Sequence, residues 1–283
     1  MSMRGKICLV LLVANIGLWL ALVRADHGAR LRVIFLDIGQ GDAIFIEAPN
    51  GNQLLIDGSR GRQITRALGR VMPFYDRSLD VVLASHPDLD HIGGLVDVAE
   101  QFSILHFIES GVRAQQTVYD HLKSILIGKQ VPIVVGRRGL TVVLDRQSGV
   151  YLRLLFPDRD PTNWETNEAS VVARLDYGQI NFLLTGDSPV KIERYLAAAD
   201  DSSLAAEVLK VGHHGSRTST SAEFLASVRP DYAIISAGRD NSYGHPHAEV
   251  LASLEQIGAV HLLTYEVGDI VFETDGRELT LVK

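Results

Sequence analysis

A run of histidines and aspartates at residues 85–94 (SHPDLDHIGG) constrains this chain more than any other stretch of its sequence. It follows the largely apolar residues 79–84, which have the composition of a buried β-strand. Two imidazoles and two carboxylates therefore lie within six consecutive positions at the end of a predicted strand, before a pair of glycines. Imidazole nitrogen and carboxylate oxygen are ligands that zinc, manganese and iron accept. The stretch therefore predicts a metal site.

Length, charge and cysteine content narrow the class of protein. A chain of 283 residues can bury a substantial core as one large domain or two small ones. Its formal net charge of −7 argues against a protein that coats nucleic acid. The charge leaves open an enzyme that meets phosphate through a metal or a local basic patch. The single cysteine, Cys8, excludes both a disulfide framework and a thiolate metal site.

The N-terminus predicts a leader segment. Arg4 and Lys6 precede residues 7–23, which carry no charge. This apolar run lies between the ~7–15 residues of a signal-peptide core and the ~20 of a comfortable membrane span. Residues 1–25 are therefore a signal anchor or a signal peptide, with a buried N-terminal helix as the alternative. Because the basic residues stay cytoplasmic, we expect residues 31–283 to form a membrane-anchored extracytoplasmic domain, or a secreted or periplasmic one if the leader is cleaved.

The order of predicted elements favours two mixed sheets packed together and covered by helices. Strands come first as a meander, and later they alternate with helices. Strands are predicted at 31–36, 43–47, 53–56, 79–84, 104–108, 170–175, 180–184, 207–211, 232–236, 260–264, 270–273 and 279–282, with further β-structure within 132–156. Helices are predicted at 63–71, 114–127, after Asp187 as far as Ala197, at 221–228 and at 247–256.

Further polar residues follow other predicted strands. By themselves Asp57 and Asp187 have ordinary explanations, because an aspartate before glycine suits a turn and an aspartate at a helix start suits capping. His213 and His214 follow the predicted strand at 207–211. Since consecutive residues of a strand point to opposite faces, we expect at most one of the two to bind a metal directly. His245 is a further candidate.

Taken in order, these motifs resemble those of the metallo-β-lactamase superfamily. The matching motifs are Asp57-Gly58, H-x-D-x-D-H-x-G-G at 86–94, Gly186-Asp187 and HHGS at 213–216. More narrowly, residues 37–43 (DIGQGDA), 85–94 and 243–246 (YGHP) resemble the hydrolase domain of ComEC/Rec2 competence proteins. The likeness covers about residues 31–283. It implies an α/β (α+β) fold, a four-layer αββα sandwich that follows the hydrophobic leader helix, with its site where strand-end loops of both sheets meet.

The resemblance also implies which residues form the site. Asp187 matches a carboxylate that bridges two metals, and Asp57 matches a buried aspartate that supports the metal loop. The later ligand is His213, His214 or His245, and the sequence does not decide among them. The implied metal ligands are His86, Asp88, Asp90, His91, Asp187 and His213. The implied catalytic residues are Asp90, which would orient or deprotonate the attacking water, and His214 or His245, which would donate to the leaving oxygen or hold a phosphate.

Two departures from the superfamily pattern bear on the metal. Asp88 occupies the position of the usual second histidine, as in the competence-protein branch. No histidine precedes the hairpin strand, where Asn167 and Ser170 lie instead. Carboxylate and amide ligands make a harder site, so the resemblance implies Mn²⁺ as well as Zn²⁺. One ion and two ions both remain open.

The implied function is metal-dependent hydrolysis by a metal-activated water, first of all of phosphodiesters. Arg62, Arg66 and Arg70 recur every four residues along one face of the helix predicted after Asp57, and Arg60 lies just before it. This row would either hold a nucleic-acid backbone or form a solvated helix face.

Two other functions remain open. One is hydrolysis of another ester or amide, such as a lactone, thioester or β-lactam. The other is a non-catalytic envelope binding module that keeps the fold. The sequence identifies no protein partner.

Overall fold

Two mixed β-sheets lie face to face in the computed structural model, which describes residues 2–26, 30–114 and 116–282, and only the backbone of residues 19–26 and 200–203. The first sheet contains β1 (Leu31–Phe35), β2 (Ile44–Glu47), β3 (Gln53–Ile56), β4 (Ser78–Ala84), β5 (Ser103–Glu109), β6 (Ile133–Val135), β14 (Ile270–Thr274) and β15 (Leu279–Leu281). The second contains β7 (Thr141–Asp145), β8 (Val150–Phe156), β9 (Val172–Tyr177), β10 (Ile180–Leu184), β11 (Val208–Lys210), β12 (Tyr232–Ile235) and β13 (Val260–Leu263).

Each sheet has an antiparallel part and a parallel part. The first sheet runs in the order β15-β14-β1-β2-β3-β4-β5-β6, and its strands are parallel from β3 to β6. The second runs β13-β12-β11-β10-β9-β8-β7, with parallel strands from β10 to β13. Parallel strands end at the same edge of a sheet, so the loops that follow them lie side by side. Ligand sites of α/β sheets form outside these carboxyl ends.

Helices cover the outer face of each sheet. The helices are α1 (Met3–Asp26), α2 (Gln63–Val71), α3 (Leu89–Ile92), α4 (Leu95–Gln101), α5 (Thr117–Gly128), α6 (Val190–Leu204), α7 (Ala222–Val228), α8 (Ala248–Gln256) and α9 (Thr264–Val267). The apolar residues of α2, α4 and α5 pack on the first sheet, and those of α6, α7 and α8 pack on the second. The predicted four-layer αββα sandwich is confirmed.

The period of two along each strand divides the core into layers. In β1, Val33 and Phe35 face the second sheet, whereas Ile34 contributes to the layer under the helices. Phe272 of β14 is fully buried between the sheets, with its ring centroid 6.0 Å from Phe182 of β10. The two sheets are therefore joined by aromatic contacts as well as by aliphatic packing.

Two short helices within and after the metal loop were not predicted from the sequence. They are α3 and α4, at residues 89–92 and 95–101. Gly93 and Gly94 both have right-handed helical dihedrals, so the glycine pair continues the helical path. Glycine is required there by close packing, because a Cβ on Gly94 would lie 2.2 Å from the carbonyl oxygen of Gly58.

The predicted leader corresponds to α1. Residues 27–29, which join the leader to the domain, and the side chains of residues 19–26 lie outside the described residues. Among the residues that are described, no helix has both the length and the apolar character needed to cross a membrane. The signal-anchor or signal-peptide role of residues 1–25 therefore stays a prediction.

Candidate metal centre

The predicted polar residues converge at the edge where the parallel strands of both sheets end. The first sheet contributes Asp57 after β3 and the residues that follow Ala84 of β4. The second contributes Asp187 after β10 and the histidines that follow Lys210 of β11. The strands of the two sheets thus deliver their polar loops to one buried volume between them.

Asp187 lies at the centre of this volume. Its Oδ2 atom is 3.3 Å from His91 Nε2 and 3.9 Å from His86 Nε2, both on the first sheet's loop. The same oxygen lies 3.6 Å from His214 Nε2 and 3.7 Å from His213 Nε2 of the second sheet. One carboxylate oxygen therefore faces four imidazole nitrogens from both sheets.

Several of these atoms are buried and have no hydrogen-bond partner. They are His86 Nε2, His91 Nε2, His214 Nε2 and Asp187 Oδ1. A buried polar atom without a partner costs about 1–3 kcal/mol, so a cluster of four calls for an explanation. Imidazole nitrogens and carboxylate oxygens facing one another are the donor set of a divalent transition metal. The residues present therefore fit such an ion.

Among the described residues, four overlapping groups of ligand atoms are close enough to hold an ion, and two of them consist entirely of the predicted metal ligands and catalytic residues. One contains His86, His91 and Asp187, and the other contains Asp90, His91 and His214; within each group the ligand atoms lie within 4.8 Å of one another. His91 belongs to both groups, but its Nε2 atom has one lone pair and can bind one ion at a time. The geometry is therefore compatible with one ion, or with two neighbouring ions of which His91 binds only one. Each group mixes nitrogen and oxygen donors, as the sequence predicted.

Asp57 supports His91 from behind. Its Oδ2 lies 2.7 Å from His91 Nδ1, and its two oxygens accept hydrogen bonds from the backbone N–H and the hydroxyl of Ser85 at 2.7 and 2.6 Å. This contact fixes the ring with Nε2 towards Asp187, which is the support that metal-binding histidines usually receive. Burial favours a lower pKa for His91, but the Asp187 and Asp57 carboxylates outweigh it and raise the pKa well above its ordinary value.

His213 and His214 do not follow a strand geometry. They lie in a 3₁₀ turn, Gly212–Gly215, and both have positive φ, at 48° and 54°. The expectation that they point to opposite faces is wrong, because this turn aims both Nε2 atoms at Asp187. Left-handed dihedrals cost about 1–3 kcal/mol for a non-glycine residue and are concentrated at functional sites.

Asp88 and Asp90 lie at the mouth of the cluster. Asp88 occupies the N-cap position of α3, but its side chain does not cap the helix, and its Oδ2 is 3.6 Å from His86 Nε2. Asp90 Oδ2 is 3.7 Å from His214 Nε2. Burial raises the pKa of both carboxyl groups, yet the neighbouring imidazoles outweigh burial and bring each pKa below its ordinary value. Both groups are therefore ionised at neutral pH.

His245 lies at the rim, on the loop that follows β12. Its ring centroid is 5.5 Å from that of His213, but within the described chain it joins no group of ligand atoms. Burial and the nearby His213 lower its pKa to about 4, so this imidazole is neutral at physiological pH. The side chain of Asn241 holds the loop: its amide donates to the carbonyl of His245 at 2.6 Å, and its oxygen accepts the N–H of His245 at 2.9 Å.

The segment before the hairpin strand, where the superfamily pattern has a histidine and this chain has none, supports the centre in another way. Ser170 Oγ accepts a hydrogen bond from the backbone N–H of Asp187 at 3.3 Å. Asn167 lies in a 3₁₀ turn, Asn167–Ala169, and its side-chain oxygen is buried without a hydrogen-bond partner.

A buried ion pair between Asp42 and Lys210 was missed by the sequence analysis. Lys210 Nζ lies 2.8 Å from Asp42 Oδ2, and Asp42 Oδ1 lies 3.3 Å from His214 Nδ1. Burial raises the pKa of Asp42, but the Lys210 ammonium and His214 outweigh it and bring the pKa to about 2. The lysine within the apolar sequence Val208-Leu209-Lys210-Val211 was the available signal, since a buried lysine requires a partner.

Removing Lys210 should destabilise the protein through this pair. We expect Lys210→Met to lower the free energy of unfolding by about 3–5 kcal/mol, because it leaves the Asp42 carboxylate buried and uncompensated. Urea denaturation measures the change. Lys191→Met, at an exposed lysine, is the matched control. An equal, small effect of both substitutions would contradict the prediction.

Metal binding should release protons. Burial lowers the pKa of His214, but Asp187 and Asp42 outweigh it and raise the pKa to about 9, so metal-free His214 and His91 are protonated at pH 7. A metal ligand must be an unprotonated imidazole, so binding displaces these protons and the apparent affinity rises with pH up to about 9.

Calorimetric titration with Zn²⁺ or Mn²⁺ in buffers of different ionisation enthalpy counts the released protons. The exposed His121 lies on α5, and His121→Gln should leave the count unchanged. Binding at pH 7 without proton release would contradict the assignment.

A four-layer αββα sandwich with a histidine–aspartate centre at its shared edge defines a class of metal-dependent hydrolases. The model of the metallo-beta-lactamase superfamily matches residues 36–239, and the chain belongs to that superfamily.

Known relatives agree with this assignment. The chain is 30% identical over 263 residues to ComE operon protein 3 of Bacillus subtilis (strain 168), covering 87% of this chain and 33% of the relative. It is 33% identical over 226 residues to Recombination protein 2 of Haemophilus influenzae, covering 78% and 26%. The predicted resemblance to the ComEC/Rec2 hydrolase domain is confirmed, and the chain spans a third or less of the length of these relatives.

Among solved structures, the metallo-beta-lactamase fold protein YhfI from Bacillus subtilis superposes with a TM-score of 0.59. The match covers 87% of this chain and 100% of YhfI at 10% sequence identity. At this identity the likeness concerns the fold alone.

Proposed function

We propose that this chain is a metal-dependent hydrolase that cleaves phosphodiesters with a metal-activated water. The observation that carries the proposal is the set of buried, unpartnered ligand atoms around Asp187. A module that only kept the fold for binding would have no use for such a costly arrangement.

The residues divide between holding the metal and acting on the substrate. His86, Asp88, His91 and Asp187 would hold one divalent ion, Zn²⁺ or Mn²⁺. Asp90 and His214, together with Asp187, would hold a second, because the Nε2 atom of His91 can bind only one ion. Such ions lower the pKa of a bound water to about 7 and polarise a phosphoryl oxygen. The position of His214 between Asp90 and Asp187 favours a ligand role for it over a donor role at the leaving group. His213, which faces Asp187 from a more exposed position, is a further ligand candidate.

Asp90 and His245 remain for the chemistry at the substrate. Because the pKa of Asp90 is lowered, its carboxylate is a weak base, and its part is to accept a hydrogen bond from the attacking water and orient it. His245 is neutral at physiological pH and lies at the open rim. It would donate a hydrogen bond to a phosphate or leaving oxygen, and the Asn241 contacts would fix its position.

Phosphodiester hydrolysis should depend on the metal and on the residues around Asp187. We expect the Mn²⁺- or Zn²⁺-loaded protein to hydrolyse bis(p-nitrophenyl) phosphate and an oligonucleotide. We expect Asp187→Asn and Asp90→Ala to lower kcat/KM by about 10²–10⁴-fold. Initial rates before and after chelation provide the measurement.

Asp120→Asn, at an exposed aspartate on α5, is the control. Hydrolysis of nitrocefin, a lactone or a thioester without action on either phosphodiester would replace the proposal with its ester or amide alternative. A protein that gained no thermal stability from Zn²⁺ or Mn²⁺ would favour the binding module.

We further propose that residues 1–25 direct the domain to the outer side of a membrane, as an anchor or as a cleaved signal. Consecutive apolar side chains of α1, from Leu9 to Val13, are all more than half exposed and cover every side of the helix. A helix that is apolar on every side is typical of burial in a membrane or in another protein.

A topology reporter tests this placement. A fusion of residues 1–30 to alkaline phosphatase, which is active only outside the cytoplasm, should be active in a bacterial host. Replacing Arg4 and Lys6 with glutamate should lower its activity, because these charges set the orientation. An inactive wild-type fusion found in the cytosolic fraction would contradict the placement.

A further inference from the structure

An open groove of about 450 Å³ lies between α2 and the loop that follows β12. Gly39 is among its lining residues, and Gln63, Arg66 and Arg70 line the α2 side. Arg239 and Tyr265 line the opposite side. We call this feature the Arg66–Arg239 groove.

The arginines of the predicted row differ in their contacts, so they do not form one continuous surface of unpaired charge. Arg62 pairs with Asp97 at 3.2 Å, and Arg70 makes a two-pronged contact with Asp269 at 2.7 and 2.9 Å. The guanidinium groups of Arg62 and Arg70 therefore already have carboxylate partners within the protein. Arg66 is exposed and has no ion-pair partner among the described residues.

Arg239 faces this group from the other side of the groove. Its guanidinium carbon lies 5.3 Å from the centroid of the Tyr265 ring, and its Nη2 donates a hydrogen bond to the carbonyl of Tyr265 at 2.8 Å. These contacts hold the planar guanidinium group of Arg239 in place without neutralising its charge. Asp37 also lines the groove, so an anion would be held by direct guanidinium contacts more than by a broad positive field.

Two segments that line the groove continue into the metal centre. Gly39 is three residues from Asp42, and Arg239 is three residues from Ser236, whose carbonyl lies 2.9 Å from His214 Nδ1. Three residues span at most about 11 Å. The N–H of Gly238 also donates to Gln40 Oε1 at 3.1 Å, which ties the two sides together.

We propose that the Arg66–Arg239 groove binds a phosphate group of a polymeric phosphodiester, beyond the bond cleaved at the metal centre. The inference rests on the proposed phosphodiesterase function and adds a subsite that a single small phosphodiester would not occupy. Two guanidinium forks on opposite sides suit phosphate, whose oxygens accept paired hydrogen bonds. The amide of Gln63 adds a neutral donor beside them.

The subsite predicts a selective change in KM. With an oligonucleotide of about ten nucleotides, Arg66→Ala/Arg239→Ala should raise KM by about tenfold or more and leave kcat unchanged. Both kinetic constants for bis(p-nitrophenyl) phosphate should stay at their wild-type values, because this substrate has one phosphate. Arg146→Ala/Arg277→Ala, at exposed arginines elsewhere, is the matched control and should change neither substrate's constants.

A binding measurement separates this inference from the proposed function. Fluorescence anisotropy with a phosphorothioate oligonucleotide should show weaker binding by the groove variant, and its salt slope should fall by about one to two. An unchanged oligonucleotide affinity would overturn the subsite, even if the wild-type protein hydrolysed neither substrate. A parallel rise of both KM values would also overturn it, because the arginines would then act on the centre itself. An unchanged thermal unfolding temperature confirms that the variant folds.

Discussion

The carboxylate of Asp187 joins the polar loops of the two sheets, because its Oδ2 atom faces imidazoles from both. It follows β10 of the second sheet, yet its nearest imidazole, His91, comes from the first sheet at 3.3 Å. The two sheets therefore contact each other through polar groups at their shared edge and through apolar side chains in the interior. Burying this many charged groups is unfavourable without a metal, so the aromatic and aliphatic layers away from the edge have to supply the stability that the centre costs.

The four imidazoles around Asp187 share one design. Each presents Nε2 to the centre and contacts a fixed partner through Nδ1, and a histidine held at one nitrogen has its tautomer and ring orientation determined in advance. The partners are Ser85 for His86, Asp57 for His91, Thr218 for His213 and the carbonyl of Ser236 for His214. The strands bring the histidines to the centre, and the groups bound to their Nδ1 atoms orient the rings.

Local sequence patterns predicted the helices and strands whose bounds depend on interactions between residues close in the chain. The helix Gln63–Val71 and the strand Gln53–Ile56 have the predicted bounds, because apolar periodicity and flanking turn residues specify them. The Asp42–Lys210 pair joins residues far apart in the chain, and no periodicity reveals such a contact. The paired state of Arg70 depends in the same way on Asp269, almost two hundred residues away. The left-handed turn at His213 had only a weak local signal, since histidine is enriched among non-glycine residues with positive φ but adopts this conformation rarely.

At the inner wall of the metal centre, glycines allow backbone segments to pack directly against one another. A Cβ on Gly41 would lie 2.2 Å from the carbonyl oxygen of Asp90, and one on Gly94 equally close to that of Gly58. The wall behind the candidate metal ligands therefore has no room for even one methyl group, whereas the rim formed by α2 and the loop around Asn241 is open to solvent. A catalyst built this way can acquire new substrates by mutation at its rim, while its reaction chemistry stays fixed by a wall that cannot change.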